Sequence, residues 1–223
     1  MERKLLNSGY DHVIGIDEVG MGCLAGPVVV CAVKFTRAFY NKNHLELRGL
    51  KESKLLSTGQ RKVFAKRLLK DEDLICAISF CFPKKIDTIN IYRASREAMR
   101  TAVKRVTNSH LSVTNNLLNN QLPKLKTENS KLRTIILVDG NKKIKNLKFD
   151  QRAIVKGDQK IFAIACASII AKVYRDKMMK RYAKRFPAYG FEQHKGYSTK
   201  VHQNALNQYG PCLIHRRSFR LSY

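Results

Sequence analysis

The sequence predicts an α/β domain built on one central sheet, and three observations carry that prediction. Short apolar runs rich in β-branched residues recur at 13–16, 28–33, 74–82 and 134–139, with the length and composition of buried strands. Stretches of helical periodicity separate or follow them, at 58–70, 91–106 and 159–186. Two of the apolar runs end in an acid with glycine close behind, GIDEVG at 15–20 and VDG at 138–140. Acids at the carboxyl ends of neighbouring strands face the crevice where open α/β sheets bind ligands.

Val13, Ile14 and Ile16 form the first strand, and Asp17 and Glu18 follow it. Successive strand side chains point to opposite faces, so the two acids share a site only if the strand ends or twists at Asp17, which Gly20 and Gly22 allow. Taken alone, an acidic pair is more simply explained as a solvated strand end. After the second strand, GLKESKLLS at 49–57 places Lys51, Ser53 and Lys54 in a polar loop that suits a phosphate as well as solvent. A helix over Thr58–Lys70 is capped by Ser57 or Thr58 and shows Val63, Phe64 and Leu68 on one face. Leu74–Phe82 is a third strand closed by Pro83. Ala94, Ala98, Ala102 and Val106 face inward from the next helix.

Residues 107–133 are Asn-rich and polar, a surface excursion without assigned chemistry. Asp139 ends the strand 134–139 and becomes a third candidate, although hydrogen-bonding the turn at Gly140 would also account for it. A short strand at 153–155 leads to Gly157-Asp158, which opens a long helix from Gln159 to about Phe186. Asp158 stands where an N-cap would, and capping does not exclude metal binding. The first half of that helix, IFAIACASIIA, is apolar on nearly every face and is expected to be buried. Its second half turns basic from Tyr174, with Arg175, Lys177, Lys180, Arg181, Lys184 and Arg185 directed to solvent or a phosphate backbone. Aromatics, His194 and Lys195 mix in the loop 187–200, a short helix spans about 199–208, and the basic end shows only a turn at Gly210-Pro211.

The chain of 223 residues carries 43 basic against 17 acidic residues, a net charge of +26 that calls for a polyanionic partner, nucleic acid before an anionic membrane. No apolar run approaches the roughly eighteen residues of a membrane span, and the N-terminus lacks the apolar centre of a secretory signal. A cytoplasmic protein follows. Six cysteines without a C-x-x-C pair read as reduced, buried thiols, and their spacing fits no familiar zinc pattern. Against so basic a background, Asp17, Glu18, Asp139 and Asp158 stand out as acids suited to a divalent cation beside a phosphate backbone.

Six colinear segments then carry a resemblance: GIDEVG-x-G-x-LAGPVV at 15–29, LVDG at 137–140, VKGDQK at 155–160, ASIIAKVYRD at 167–176, HKGYSTK at 194–200 and IHRRSF at 214–219. Together they resemble the ribonuclease HII family, in order and spacing, from Val13 to Phe219. The resemblance implies a ribonuclease H-like fold, a five-stranded mixed sheet flanked by helices with a short C-terminal helical extension. It implies one catalytic domain over 1–223, with its core at about 11–186 and a substrate-contacting segment at 187–223. The activity implied is endonucleolytic cleavage of RNA in RNA–DNA hybrids and 5′ to ribonucleotides embedded in duplex DNA, by a monomer.

By motif match, Asp17, Glu18, Asp139 and Asp158 take the family's four catalytic carboxylate positions, holding two Mg²⁺ or Mn²⁺ ions that leave 5′-phosphate and 3′-hydroxyl ends. The resemblance further implies that the backbone of Gly20, Met21 and Gly22 contacts the 2′-hydroxyl and that Tyr197 stacks near the sugar beyond the ribonucleotide, while Lys54, from its residue type alone, offers a cation to phosphate. The chain departs from the family's pattern in several places. Met21 replaces an arginine between the glycines and cannot make a bidentate phosphate contact. Glu52 replaces the aspartate of the motif DSK, Ile161 stands where serine is common, and the 107–133 excursion is longer than usual. A non-catalytic or weakly active hybrid-binding protein of the same fold is the competing expectation, with the altered glycine loop as its only support.

Overall fold

The fold grows from two adjacent runs of eight residues, each paired with the other over six of them. The computed structural model describes residues 1–35, 37–41, 56–108 and 132–220. Helix α1 (Glu2–Asn7) precedes β1 (His12–Val19), and β2 (Val28–Phe35) returns antiparallel to it. Helices α2 (Arg37–Asn41) and α3 (Thr58–Lys70) precede β3 (Leu74–Cys81), which adds antiparallel to β2. Then follow α4 (Pro83–Ile89), α5 (Ile91–Thr107), β4 (Thr134–Asp139) and β5 (Asp150–Ile154). The last two strands join in parallel, giving the order β3-β2-β1-β4-β5. Chain 107–133 falls mostly outside the described residues, as does Lys54 with its loop.

Alternation sorts the strand residues onto two cores. Val13, Val29, Cys31, Val33, Ile135 and Leu137 pack on one face with α7 (Phe162–Arg185), while Ile14, Ile16, Val30, Ala32, Ile136 and Val138 pack on the other with α5. The first half of α7 is buried from Ala163 to Ala171 with few breaks, as its all-round apolar sequence demands. At its start the Ala163 N–H donates to Glu2 Oε1 at 3.2 Å, so a buried carboxylate from α1 supplies the negative charge that a helix N-terminus favours. Ser57 and Gln60 close α3 with a capping box.

Several expectations are corrected. Val63 is exposed, and Ala65 and Leu68 are the buried residues of α3; Phe64 is only half-buried. Pro83 closes β3 but also begins α4, its missing N–H costing nothing in a first turn. The long helix from Gln159 is broken: a single turn, α6 (Gly157–Lys160), is separated from α7 by Ile161, which is extended (φ −120°, ψ 119°) and buried. One extended apolar residue leaves no mark on a hydrophobic pattern. Lys156, in the left-handed region at φ 55°, holds the cap position, so Asp158 lies inside the first turn and is not the N-cap.

After α7 come a 3₁₀ turn at Pro187–Tyr189, α8 (Phe191–His194) and α9 (Lys200–Tyr209), gathered on a third core of Leu24, Met179, Tyr189, Phe191, Leu206 and Ile214. Five of the six cysteines are buried, and all six are free thiols. No helix among the described residues is long and apolar enough to cross a membrane.

Candidate active site

The parallel pair β1 and β4 ends at one edge of the sheet, with Ile16 beside Val138, so that the acids following them are neighbours. The strand does not end at Asp17. It runs on to Val19, with Asp17 opposite Cys31 and Glu18 opposite Val30. Asp17 therefore shares the α7 face with Val13, and Glu18 lies on the α5 face; the two share a site because the cavity wraps the strand end. That cavity, about 320 Å³, is lined by Asp17, Glu18, Asp139 and Asp158 together with Arg61, Ser168, Lys172 and Tyr197.

Local bonds fix the acids. The Glu18 N–H donates to Asp17 Oδ1 at 2.7 Å, and Ser168 on α7 hydrogen-bonds the same carboxyl. Asp139 Oδ1 accepts the Gly157 N–H at 2.6 Å, so it ties β4 to α6 rather than serving the turn at Gly140, whose N–H goes to Ile154 O. A Cβ on Gly157 would lie 3.1 Å from that oxygen and 2.7 Å from Ile164 Cδ1, which explains glycine there. Asp158 is buried at 2 % exposure.

Burial, then the charges of Glu18 and Asp139, hold the Asp17 carboxyl well above the usual carboxylate range. Burial pushes Glu18 up to about 7, with Arg96 on α5 opposing and Asp139 adding to the rise. Glu18 Oε2 is buried without a hydrogen-bond partner among the described residues. An all-oxygen donor set under mutual repulsion, with a buried oxygen to spare, fits a hard divalent cation, whose charge would reverse these shifts. Among the described residues no three His, Cys, Asp or Glu side chains stand close enough together to hold one ion, so the acids share the cavity without forming a ready ligand set. The acids line a cavity open enough to admit phosphate as well as an ion.

Arg61 and Lys172 carry positive charge into the same cavity and went unassigned in the sequence. Lys172 Nζ sits 2.8 Å from Asp176 Oδ1 and 5.6 Å from the ring centre of Tyr197. Ser168, Lys172 and Asp176 recur four apart on one helix, a spacing that could have marked a common face. Tyr197 is 40 % exposed, and its hydroxyl contacts the buried Cys23 thiol. Gly20, Met21 and Gly22 follow directly from Val19, with Met21 half-buried against the α5 core and Gly22 exposed.

The largest corrections concern two arginines. Arg175, expected at the surface, has no exposure and donates to Pro27 O (3.0 Å), Ala25 O (3.0 Å) and Lys195 O (2.9 Å). Arg216, in a tail read as unstructured, is equally buried and donates to Gly26 O, Met21 O and Gly20 O.

Behind Tyr197 lies a buried histidine cluster whose protons are set by its partners. His202 Nδ1 donates to Tyr197 O (2.8 Å), leaving Nε2 to accept from His215 Nε2 at 2.9 Å; His215 Nδ1 accepts the Cys212 N–H. His194 stacks on His202 with centroids 4.4 Å apart, donates to Tyr189 O and accepts the Gly196 N–H. A second proton on any ring breaks one of these bonds. Burial lowers the pKa of all three, that of His215 to about 4. The folded protein thus binds fewer protons than the unfolded chain between about pH 6.5 and 4, and the histidines' contribution to stability is lost as pH falls through that window. The stability difference between wild type and His215→Gln should narrow there by up to about 1.4 kcal/mol per pH unit and stay constant above about pH 7. Urea unfolding across pH 4–8 measures it.

The model of one family, ribonuclease HII, matches residues 14–222. The chain belongs to the ribonuclease HII family. A ribonuclease HII of Caldicellulosiruptor bescii is 42 % identical over 220 residues, covering 98 % of this chain and 91 % of that one. Among solved structures, the ribonuclease H2 of Pyrococcus horikoshii OT3 is 26 % identical with a TM-score of 0.67, covering 94 % of each chain. The ribonuclease HII in a PCNA complex from Archaeoglobus fulgidus matches in fold, with a TM-score of 0.69 at 24 % identity over 95 % and 96 % of the two chains. The sheet order and flanking helices are those of the ribonuclease H-like fold. As a ribonuclease HII, the chain is a hydrolase with ribonuclease H activity on RNA–DNA hybrids.

Proposed function

We propose that this ribonuclease HII also cuts 5′ to single ribonucleotides embedded in duplex DNA, acting as a cytoplasmic monomer in their removal, and that Asp17, Glu18, Asp139 and Asp158 are its catalytic acids. The observation that carries the reading is the meeting of those four carboxylates, from three separate segments of the chain, around one cavity flanked by Arg61 and Lys172. Asp17, Glu18, Asp139 and Asp158 would hold Mg²⁺ or Mn²⁺, two ions during turnover. The bound metal supplies Lewis-acid activation of water and of the leaving oxygen.

The chain's own residues do the rest. Arg61 and Lys172 attract the phosphate that the acids alone would repel. Tyr197, half-open and backed by Lys172 and Arg175, offers a face for the neighbouring sugar. The peptide groups of Gly20 to Gly22 meet the 2′-hydroxyl, the one group that separates ribose from deoxyribose. Lys54 would add a phosphate contact from its loop.

The test uses two end-labelled duplexes, a full RNA–DNA hybrid and a DNA duplex with one ribonucleotide, incubated with Mg²⁺, with Mn²⁺ and with chelator. Cleavage of both, dependent on metal and leaving 5′-phosphate and 3′-hydroxyl ends, is the expected result; a cut hybrid beside an intact second duplex would refute the wider specificity. Met21 refines the prediction, because a neutral side chain forgoes a charge-assisted contact of about 1.5–3 kcal/mol. Met21→Arg should raise cleavage at the single ribonucleotide by at least about tenfold while changing hybrid cleavage little. An unchanged rate at the junction would show that position 21 does not limit it.

A further inference from the structure

Three carbonyl oxygens of one loop, at Gly20, Met21 and Gly26, point at a single guanidinium. Arg216 Nη2 donates to Gly20 O at 2.6 Å, Nη1 to Met21 O at 2.9 Å and Nε to Gly26 O at 3.0 Å. The side chain has no exposure. Among the described residues no carboxylate forms an ion pair with it; the Cys23 thiol, Arg175, Asp87 and Tyr197 act on its charge, and the Phe219 ring centre lies 5.0 Å away. Burying a cation against neutral acceptors costs stability.

The geometry has a directional consequence. A trans peptide is planar, with the C=O of one residue and the N–H of the next on opposite sides. Drawing Gly20 O and Met21 O inward to Arg216 therefore turns the N–H groups of Met21 and Gly22 outward. Neither donates to any main-chain acceptor among the described residues. Gly22 is exposed, and a Cβ added there would meet nothing within 4 Å, so the outward side is open. Two adjacent N–H groups without an acceptor among the described residues, beside an open face, form a ready acceptor-binding concavity. It directly follows Val19, which lines the acidic cavity.

The same strip of chain is pinned from behind. Leu24 N–H donates to Gly196 O, Gly26 N–H to Ile214 O, and Arg216 N–H to Leu24 O, while Ala25 bridges His215. Gly20, at φ +92°, could not carry a Cβ without striking the Arg175 side chain, whose Cδ would lie 3.0 Å away. Arg175 thus fills the space behind the loop's first glycine, and Arg216 sets the direction of its peptides.

We infer that Arg216 is a positioning residue for sugar recognition: by holding the carbonyls of Gly20 and Met21, it aims the Met21 and Gly22 N–H groups at the 2′-oxygen of the substrate ribose. The inference rests on the proposed reading of the loop as the ribose-sensing element. Lysine at 216 keeps the charge but offers no fixed fork, so it cannot hold three carbonyls in one plane.

The experiment measures binding in an Asp17→Asn background, where the duplex stays uncut. Affinities for a duplex with one ribonucleotide and for the same duplex as all DNA give a preference ratio. With Arg216 present the ratio should favour the ribonucleotide; in Arg216→Lys it should fall about tenfold toward unity. A general structural loss lowers both affinities together and leaves the ratio standing, and that outcome overturns the role. A ratio near one with Arg216 present overturns it too, by showing that the loop does not sense ribose at all. Should Arg216→Lys fail to fold, hydrogen exchange with Arg216 intact decides the matter: the Met21 and Gly22 amides should be protected by the ribonucleotide duplex and not by all-DNA duplex. Equal protection by both refutes the proposal.

Discussion

Replacing Asp17 by asparagine should abolish cleavage and at the same time make the metal-free protein more stable. The amide keeps the shape of the carboxylate, the acceptor for the Glu18 N–H and a partner for Ser168, so β1 and its contacts survive. It removes one negative charge from a buried group of acids, where burial, Glu18 and Asp139 already disfavour ionisation. Losing a group that stabilises charge in the transition state costs several kcal/mol, a rate loss of at least about 10³-fold. In chelator, relief of the repulsion should add on the order of 1 kcal/mol, which raises Tm by about 2–4 °C for a chain of this length. Sites built for function commonly carry such strain. Hybrid cleavage at the wild-type rate, or a lower Tm in chelator, would contradict this account.

The largest expected loss of stability comes from one methyl group at Gly15. That residue lies on the α7 face of β1, where the helix backbone approaches so closely that an added Cβ would sit 2.5 Å from Ile164 N and 2.6 Å from Ala163 O. The obstruction is backbone at the first turn of a helix buried on nearly every side, so no side chain can swing away. Overpacking of this kind costs about 3 kcal/mol or more. Gly15→Ala should therefore lower Tm by roughly 6–12 °C, at about 2–4 °C per kcal/mol. Because Asp17 stands two residues further along the same face, the displaced helix also carries Ser168 away from it, and activity should fall further than melting alone explains. A melting temperature within about 2 °C of wild type would show that α7 yields easily.

What the sequence revealed follows from which interactions leave a periodic trace. The strands, the α5 face of Ala94, Ala98, Ala102 and Val106, and the Ser57 cap were legible because burial repeats every two or every three to four residues and caps use few residue types. The four acids that line the cavity stand out in the sequence as exceptions to a basic composition. Arg175 and Arg216 do not, because a guanidinium that donates to main-chain carbonyls 20 to 196 residues away reads in sequence like any other surface charge. Arg61 and Lys172 were hidden for the same reason, among many basic neighbours. The break at Ile161 escaped because an extended residue that is itself apolar and buried keeps the pattern intact. Asp17 and Glu18 were rightly paired, but by a cavity enclosing the strand's tip and not by an early end to the strand.

The route of the chain also orders its own maturation. Sheet and acids are complete once α6 and α7 have been synthesised, yet the carbonyls at Gly20, Met21 and Gly26 gain their common donor only when residue 216 arrives. A nascent chain still lacking its last short segment would have the acids assembled and the Gly20–Gly22 loop, which we propose faces the ribose, unbraced. A chain cut back to Gly210 should therefore fold its sheet and still be a poor judge of sugars.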